Sequence, residues 1–129
     1  MQQEFTILVA DPYPHVREFI TRELSQAGYQ VVQAGTAKEV FSQIQAEQTP
    51  DLIVFELNMP KNSGFAILDR LSNMVPPIPL IIYSNLTEYE NHPDVQWADA
   101  FLEKDGDPGV LLNTVSEVIW KNYKHCFEI

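Results

Sequence analysis

Four polar side chains stand where apolar runs end: Asp11, Glu56, Ser84 and Lys104. Brought into one crevice, two carboxylates, a hydroxyl and an ammonium form a cation-seeking cluster that carries its own fixed cation. A plainer reading competes, because strand ends are often polar simply where they meet water. Four such residues at four strand ends weigh toward a site, provided the elements that carry them place them together.

Those elements follow from patterning. The runs Phe5 to Ala10, Leu52 to Leu57 and Leu80 to Tyr83 are rich in Ile, Val and Phe and are bounded by Pro, Asp or Asn. Near-continuous apolar runs are the mark of strands buried on both faces of a parallel sheet. Tyr29 to Gln33 and Ala100 to Glu103 supply two weaker strands. Between them lie stripes at helical spacing: Val16, Phe19, Ile20, Leu24 and Ala27; Ala37, Val40, Phe41 and Ile44; Phe65, Leu68, Leu71 and Met74; and a last one from Leu111 to Tyr123. Pro14 suits a first turn, Gly28 a stop, and Thr36 a cap. Asn85 to Trp97 has a poor stripe and contains Pro93, so a short or irregular fourth helix is expected there. Strand and helix alternate, which predicts an α/β class, a (βα)5 doubly wound five-stranded parallel sheet. In such sheets ligands bind beyond the carboxyl ends of the strands, where the four polar residues fall.

Composition narrows the function. At 129 residues and 45% apolar, the chain is expected to form a single domain over residues 1–129. Eighteen acids against eight bases give a net charge of −10, which argues against nucleic acid and anionic membrane as partners. No secretory signal is visible at Met1-Gln2-Gln3-Glu4, and no apolar run reaches the roughly 18 residues needed to span a bilayer, so a cytoplasmic location is expected. The one cysteine, Cys126, can form neither an internal disulfide nor a cysteine-based zinc site. No nucleotide-binding glycine motif occurs, and Asp11-Pro12-Tyr13-Pro14 removes backbone donors where a phosphate loop would need them.

The runs ILVAD (7–11), DLIVFELNMP (51–60), SGF (63–65), PLIIYS (79–84) and ADAFLEK (98–104) fall in a recognisable order. Over residues 1 to 124 the chain resembles the response-regulator receiver domain, the (βα)5 module of bacterial two-component signalling. The resemblance implies a flavodoxin-like strand order of 2-1-3-4-5. It also implies a phosphoacceptor at Glu56, the first member of a metal-binding acidic pair at Asp11, a hydroxyl at Ser84 and a phosphate-pairing lysine at Lys104. Phe101 matches an aromatic switch position, and Asn58 the residue whose carbonyl ligates Mg²⁺. Phosphoryl transfer needs such a set because its charged transition state must be neutralised by cations.

Three positions depart from the family pattern. The phosphoacceptor position holds Glu56 where the family has Asp, Pro12 replaces the second metal-binding acid, and Asp105 follows Lys104 where the family commonly has Pro, often after a cis bond. One reading keeps phosphorylation by a histidine kinase at Glu56, with Asp11, Glu56 and Asn58 as a weakened Mg²⁺ site. The other makes the site static, either active-like, with Lys104 near Asp11 and Glu56 as the cation that replaces Mg²⁺, or inert, a degenerate pocket that only keeps the fold. The expectation carried forward is the second: a pseudo-receiver that is not an enzyme and holds no resident cofactor. It would act by phosphorylation-independent contact with a protein partner, a kinase or a downstream effector. A third class, a small hydrolase, lacks an Asp nucleophile with an acid partner.

Between Glu88 and Asp107 the chain carries seven acids and one base, Lys104. This is either a solvated face or a docking site for a basic partner, with Tyr89 and Trp97 as contact residues or Trp97 as core cover. His15, His92 and His125 lack ligand spacing and are expected at the surface. The partner's identity and the oligomeric state stay open.

Overall fold

Branched and aromatic apolar residues dominate β1 (Thr6–Ala10), β3 (Leu52–Phe55) and β4 (Leu80–Ser84), and these strands are buried almost along their whole length. The more polar β2 (Gln30–Ala34) and β5 (Ala100–Glu103) lie at the sheet edges. All pairings are parallel and the order is β2-β1-β3-β4-β5, as the resemblance implied. This computed structural model describes residues 4–127; the Met1-Gln2-Gln3 start and the outermost ends of the expected 1–129 domain lie outside them.

The pleat divides each strand between two cores. Ile7, Val9, Val54 and Ile81 face α1 (Pro14–Gln26) and α4 (Pro108–Tyr123), meeting Ile20, Leu24, Val115 and Ile119. Leu8, Ala10, Ile53 and Phe55 face α2 (Ala37–Ile44) and α3 (Gly64–Ser72), meeting Val40, Ile67 and Leu68. Helix ends are set locally. Pro14 opens α1, Thr36 Oγ1 accepts the Glu39 N–H at 3.2 Å, and Asp107 Oδ1 accepts the Gly109 N–H at 2.9 Å. Gly28, at φ +102°, supplies the left-handed turn after α1. At the base of the sheet, Tyr123 donates its hydroxyl to the Asp51 carbonyl at 2.7 Å, and burial pushes its pKa up to about 12.

After β4 the chain makes two short 3₁₀ turns, Thr87–Tyr89 and Pro93–Val95, in place of a fourth α-helix. Val95 is buried there, and Leu86, Tyr89 and Trp97 pack half-buried against the core. Trp97 and Tyr89 therefore serve the interior more than a contact surface. Some boundaries differ from the sequence expectation. The apolar run around β3 extends to Leu57, but pairing ends at Phe55 and Leu57 is buried in the loop. Met74 lies past the end of α3 and packs beside it. His92, expected at the surface, is half-buried; its Nδ1 accepts the Asp94 N–H at 3.0 Å and its ring lies 4.8 Å from Phe65. Among the described residues, no helix is long and apolar enough to cross a membrane.

Gly64 begins α3 directly against the Leu57 carbonyl oxygen, where a Cβ would collide. Gly64→Ala is expected to cost about 3 kcal/mol, seen as a lower urea midpoint with an unchanged slope.

Candidate functional site

Parallel register delivers three chain exits to one edge of the sheet. Ala10 pairs with Phe55, so Asp11 and Glu56 leave adjacent strands side by side, and Ser84 pairs with Glu103, so Lys104 leaves β5 at the same end, with β4 between it and β3. The ladder runs one residue further: the Asp11 N–H donates to the Ala34 carbonyl at 2.9 Å, that of Glu56 to Ala10 at 2.9 Å, and that of Lys104 to Ser84 at 3.3 Å. Arg17 adds a brace, donating from Nη1 to the Asp11 carbonyl at 2.8 Å.

The side chains then meet. Lys104 Nζ lies 2.5 Å from Asp11 Oδ2 and 2.5 Å from Glu56 Oε1. Each carboxylate gives its other oxygen to a backbone donor: Asp11 Oδ1 accepts from the Tyr13 N–H at 2.8 Å, and Glu56 Oε2 from the Asn58 N–H at 3.0 Å. The acids are only 2% and 4% exposed. Burying isolated ions costs several kcal/mol each, and pairing with full hydrogen bonding offsets that cost. Burial by itself would lower the Lys104 pKa. The hydrogen bonds to Asp11 and Glu56, with their charges, outweigh it and hold the ammonium above its ordinary 10.5. The longer side chain of Glu56 spans from the Asn58 N–H to Lys104, so both of its oxygens are engaged.

Tyr13 lies over this triad. Its phenol oxygen accepts from Asn58 Nδ2 at 2.7 Å, and Lys104 Nζ sits 5.2 Å from its ring centroid, within cation–π range. The β1–α1 and β3–α3 loops are thereby joined across the mouth of the site. On the other side, Asn85 and Asp105 exchange hydrogen bonds, Nδ2 to Oδ1 and Oδ1 from N–H, each 3.1 Å. This pair holds the loop after Lys104, whose bond to Asp105 is trans; the one cis peptide among the described residues is Val75–Pro76.

Of the four strand-end residues, three meet directly. Ser84 is fully buried beside them, with its Oγ accepting the Leu86 N–H at 3.1 Å. Phe101 is half-buried against the core on the α3 side. Asn58 takes part through its N–H and side-chain amide. Mg²⁺ does not fit this donor set: Lys104 holds one oxygen of each carboxylate, and Pro12 offers none. Tyr13 and Asn85 escaped the sequence reading; each directly follows a position of interest, Pro12 and Ser84, and nothing else marks them. The acidic stretch also divides. Asp99 Oδ2 accepts the Leu80 N–H at 3.0 Å, Asp105 pairs with Asn85, and Asp107 caps α4, whereas Glu88, Glu90, Asp94 and Glu103 are exposed.

A family model for the response regulator receiver domain matches residues 7–116. The chain is 32% identical over 119 residues to Response regulator RR06 of Streptococcus pneumoniae, covering 91% of this chain and 54% of that protein. It is also 32% identical over 120 residues to the CAI-1 autoinducer sensor kinase/phosphatase CqsS of Vibrio cholerae, covering 89% of this chain and 17% of that protein. It thus spans about half, or far less, of the length of these relatives. Among solved structures, a CheY-like response regulator receiver domain protein from Methanospirillum hungatei superposes with a TM-score of 0.85 at 25% identity, covering 95% of this chain and 99% of that one.

Two outcomes are expected from the triad's geometry. Lys104→Met leaves two buried carboxylates facing each other, a loss of about 3 kcal/mol at neutral pH by chemical denaturation. In the unaltered protein the raised Lys104 pKa gives stability that is present below pH 10.5 and lost as pH climbs through the folded value, seen as a falling urea midpoint at strongly alkaline pH. Separately, Tyr13→Ala should raise acylation of Lys104 by a water-soluble amine reagent several-fold relative to exposed Lys121, read by peptide mass mapping, and Tyr13→Phe should raise it less.

Proposed function

The chain belongs to the response regulator receiver domain family, and on that footing we propose that it is a receiver in which an internal ion triad replaces the phosphorylation chemistry. Receiver domains are the signalling modules of two-component response regulators and work through contacts with kinases or effectors. One observation carries the finer reading: a single ammonium, Lys104, is shared by Asp11 and Glu56.

That arrangement is self-sufficient. A nucleophile must approach a phosphoryl group in line with an oxygen free to attack, and about 1 Å of misplacement can cost roughly 100-fold. Glu56 has Oε1 on Lys104 and Oε2 on the Asn58 N–H, and lies beneath Tyr13. Phosphorylation would require Lys104 to leave both acids and the Tyr13–Asn58 bond to open. The triad instead holds the site in one charge state, and the domain acts by protein contact, as a binding module and not as an enzyme. Its strong negative charge favours a partner with a basic surface.

The test is intact mass spectrometry after incubation with a small phosphodonor and Mg²⁺. No adduct of ~80 Da, the mass of a phosphoryl group, is expected on the unaltered protein, and one is expected after Glu56→Asp combined with Pro12→Asp. An adduct on the unaltered protein would overturn the proposal in favour of a receiver phosphorylated at Glu56.

A further inference from the structure

Beside the triad the surface opens into a crevice of about 600 Å³ between α1 and the β5–α4 loop. Tyr13, Phe19 and Tyr83 place aromatic rings in its walls, while Glu56 and Lys104 reach it from the sheet edge and Asp105 stands exposed at its rim. Tyr13 and Phe19 are 45% and 37% exposed.

The charges here do not balance. Among the residues that line the crevice, the carboxylates of Glu56 and Asp105 face the one ammonium of Lys104, whereas Asp11 lies buried behind them with the Arg17 guanidinium on its carbonyl. A cavity of this size with aromatic walls and surplus negative charge suits a weakly hydrated cation that can lie on ring faces. Mg²⁺ demands oxygen ligands and keeps its water, so these walls do not suit it. A guanidinium does both things required: it stacks on aromatic planes and pairs with a carboxylate, here the exposed Asp105, since both oxygens of Glu56 are already engaged. Val16 and Ile20 give its hydrocarbon stem an apolar wall. Asp107, exposed beside the lining residues Gly106 and Pro108, carries negative charge beyond the crevice, where neighbouring residues of a bound segment would lie.

We propose that this crevice takes the side chain of an arginine presented by a basic segment of a partner protein. The inference rests on the contact-based reading above and names the chemistry of that contact.

The probe is a capped hexapeptide, Ala-Leu-Arg-Ala-Leu-Arg, compared with its twin carrying citrulline, the neutral isostere of arginine. Amide shifts of the isotopically labelled full chain are followed by NMR, without any phosphodonor. The arginine peptide is expected to bind at least ~10-fold more tightly than its twin, with the largest shifts at Tyr13, Phe19, Asp105 and Gly106. Phe19→Ala and Asp105→Asn should each weaken binding at least ~3-fold, while Trp120→Ala, on the exposed face of α4, should leave it unchanged. Equal binding of the two peptides overturns the proposal, and so do shifts centred on the exposed acids Glu88 to Asp94. Capped arginine binding as tightly as the hexapeptide overturns the protein segment as occupant. Failure of any of these leaves the contact reading standing, whereas a phosphoryl adduct on the unaltered protein removes that reading whatever the peptides do.

Discussion

Two carboxylates that follow adjacent parallel strands in register cannot avoid one another, and everything at this end of the sheet is arranged around that constraint. Asp11 and Glu56 are buried and lie next to each other because β1 and β3 pair through Ala10 and Phe55. Their repulsion is relieved by one ammonium that reaches across from the exit of β5, past the end of β4. The tie therefore links three strands that do not all touch. It also explains why so many backbone donors converge: the N–H groups of Tyr13 and Asn58 complete the coordination of the carboxylates, and that in turn fixes the first residues of both loops. Tyr13 and Asn58, placed this way, are within reach of each other.

The strands were legible because their information is local. Runs such as Ile7 to Ala10 and Leu80 to Ile82 are apolar on both faces, and only a doubly covered sheet accommodates that. The strand-end polar residues could be picked out for the same reason, and the resemblance supplied the order in which the strands lie. The meeting of Lys104 with both acids needed coordinates. The sequence offered two acids, one lysine and a missing ligand at Pro12, which states the charge problem without fixing where the side chains go.

What stayed illegible depends on loop geometry. Tyr13 carries no local signal that its phenol will cross to Asn58, because the partner is 45 residues away. The Asn85–Asp105 exchange joins two loops through one pair of side chains, and polar residues in loops look alike in sequence. The end of β3 was misplaced because Leu57 is buried without being paired, and apolar patterning reports burial, not pairing. His92 shows the converse error. An isolated histidine in a polar stretch looks exposed, yet it caps a turn and rests on Phe65.

The two 3₁₀ turns after β4 also withhold something. A full α-helix starting there would line up its peptide dipoles, place partial positive charge at its first turn and favour an anion near Ser84. Three-residue turns align too few peptides to do this. Beside Ser84 the field is thus set mainly by the side-chain charges of Asp11, Glu56 and Lys104, while the first turns of α1 and α4 add theirs on the crevice side. Those charges are buried and close together, so dissolved salt screens them weakly. The balance of charge among these three residues is therefore one on which ionic strength has little purchase.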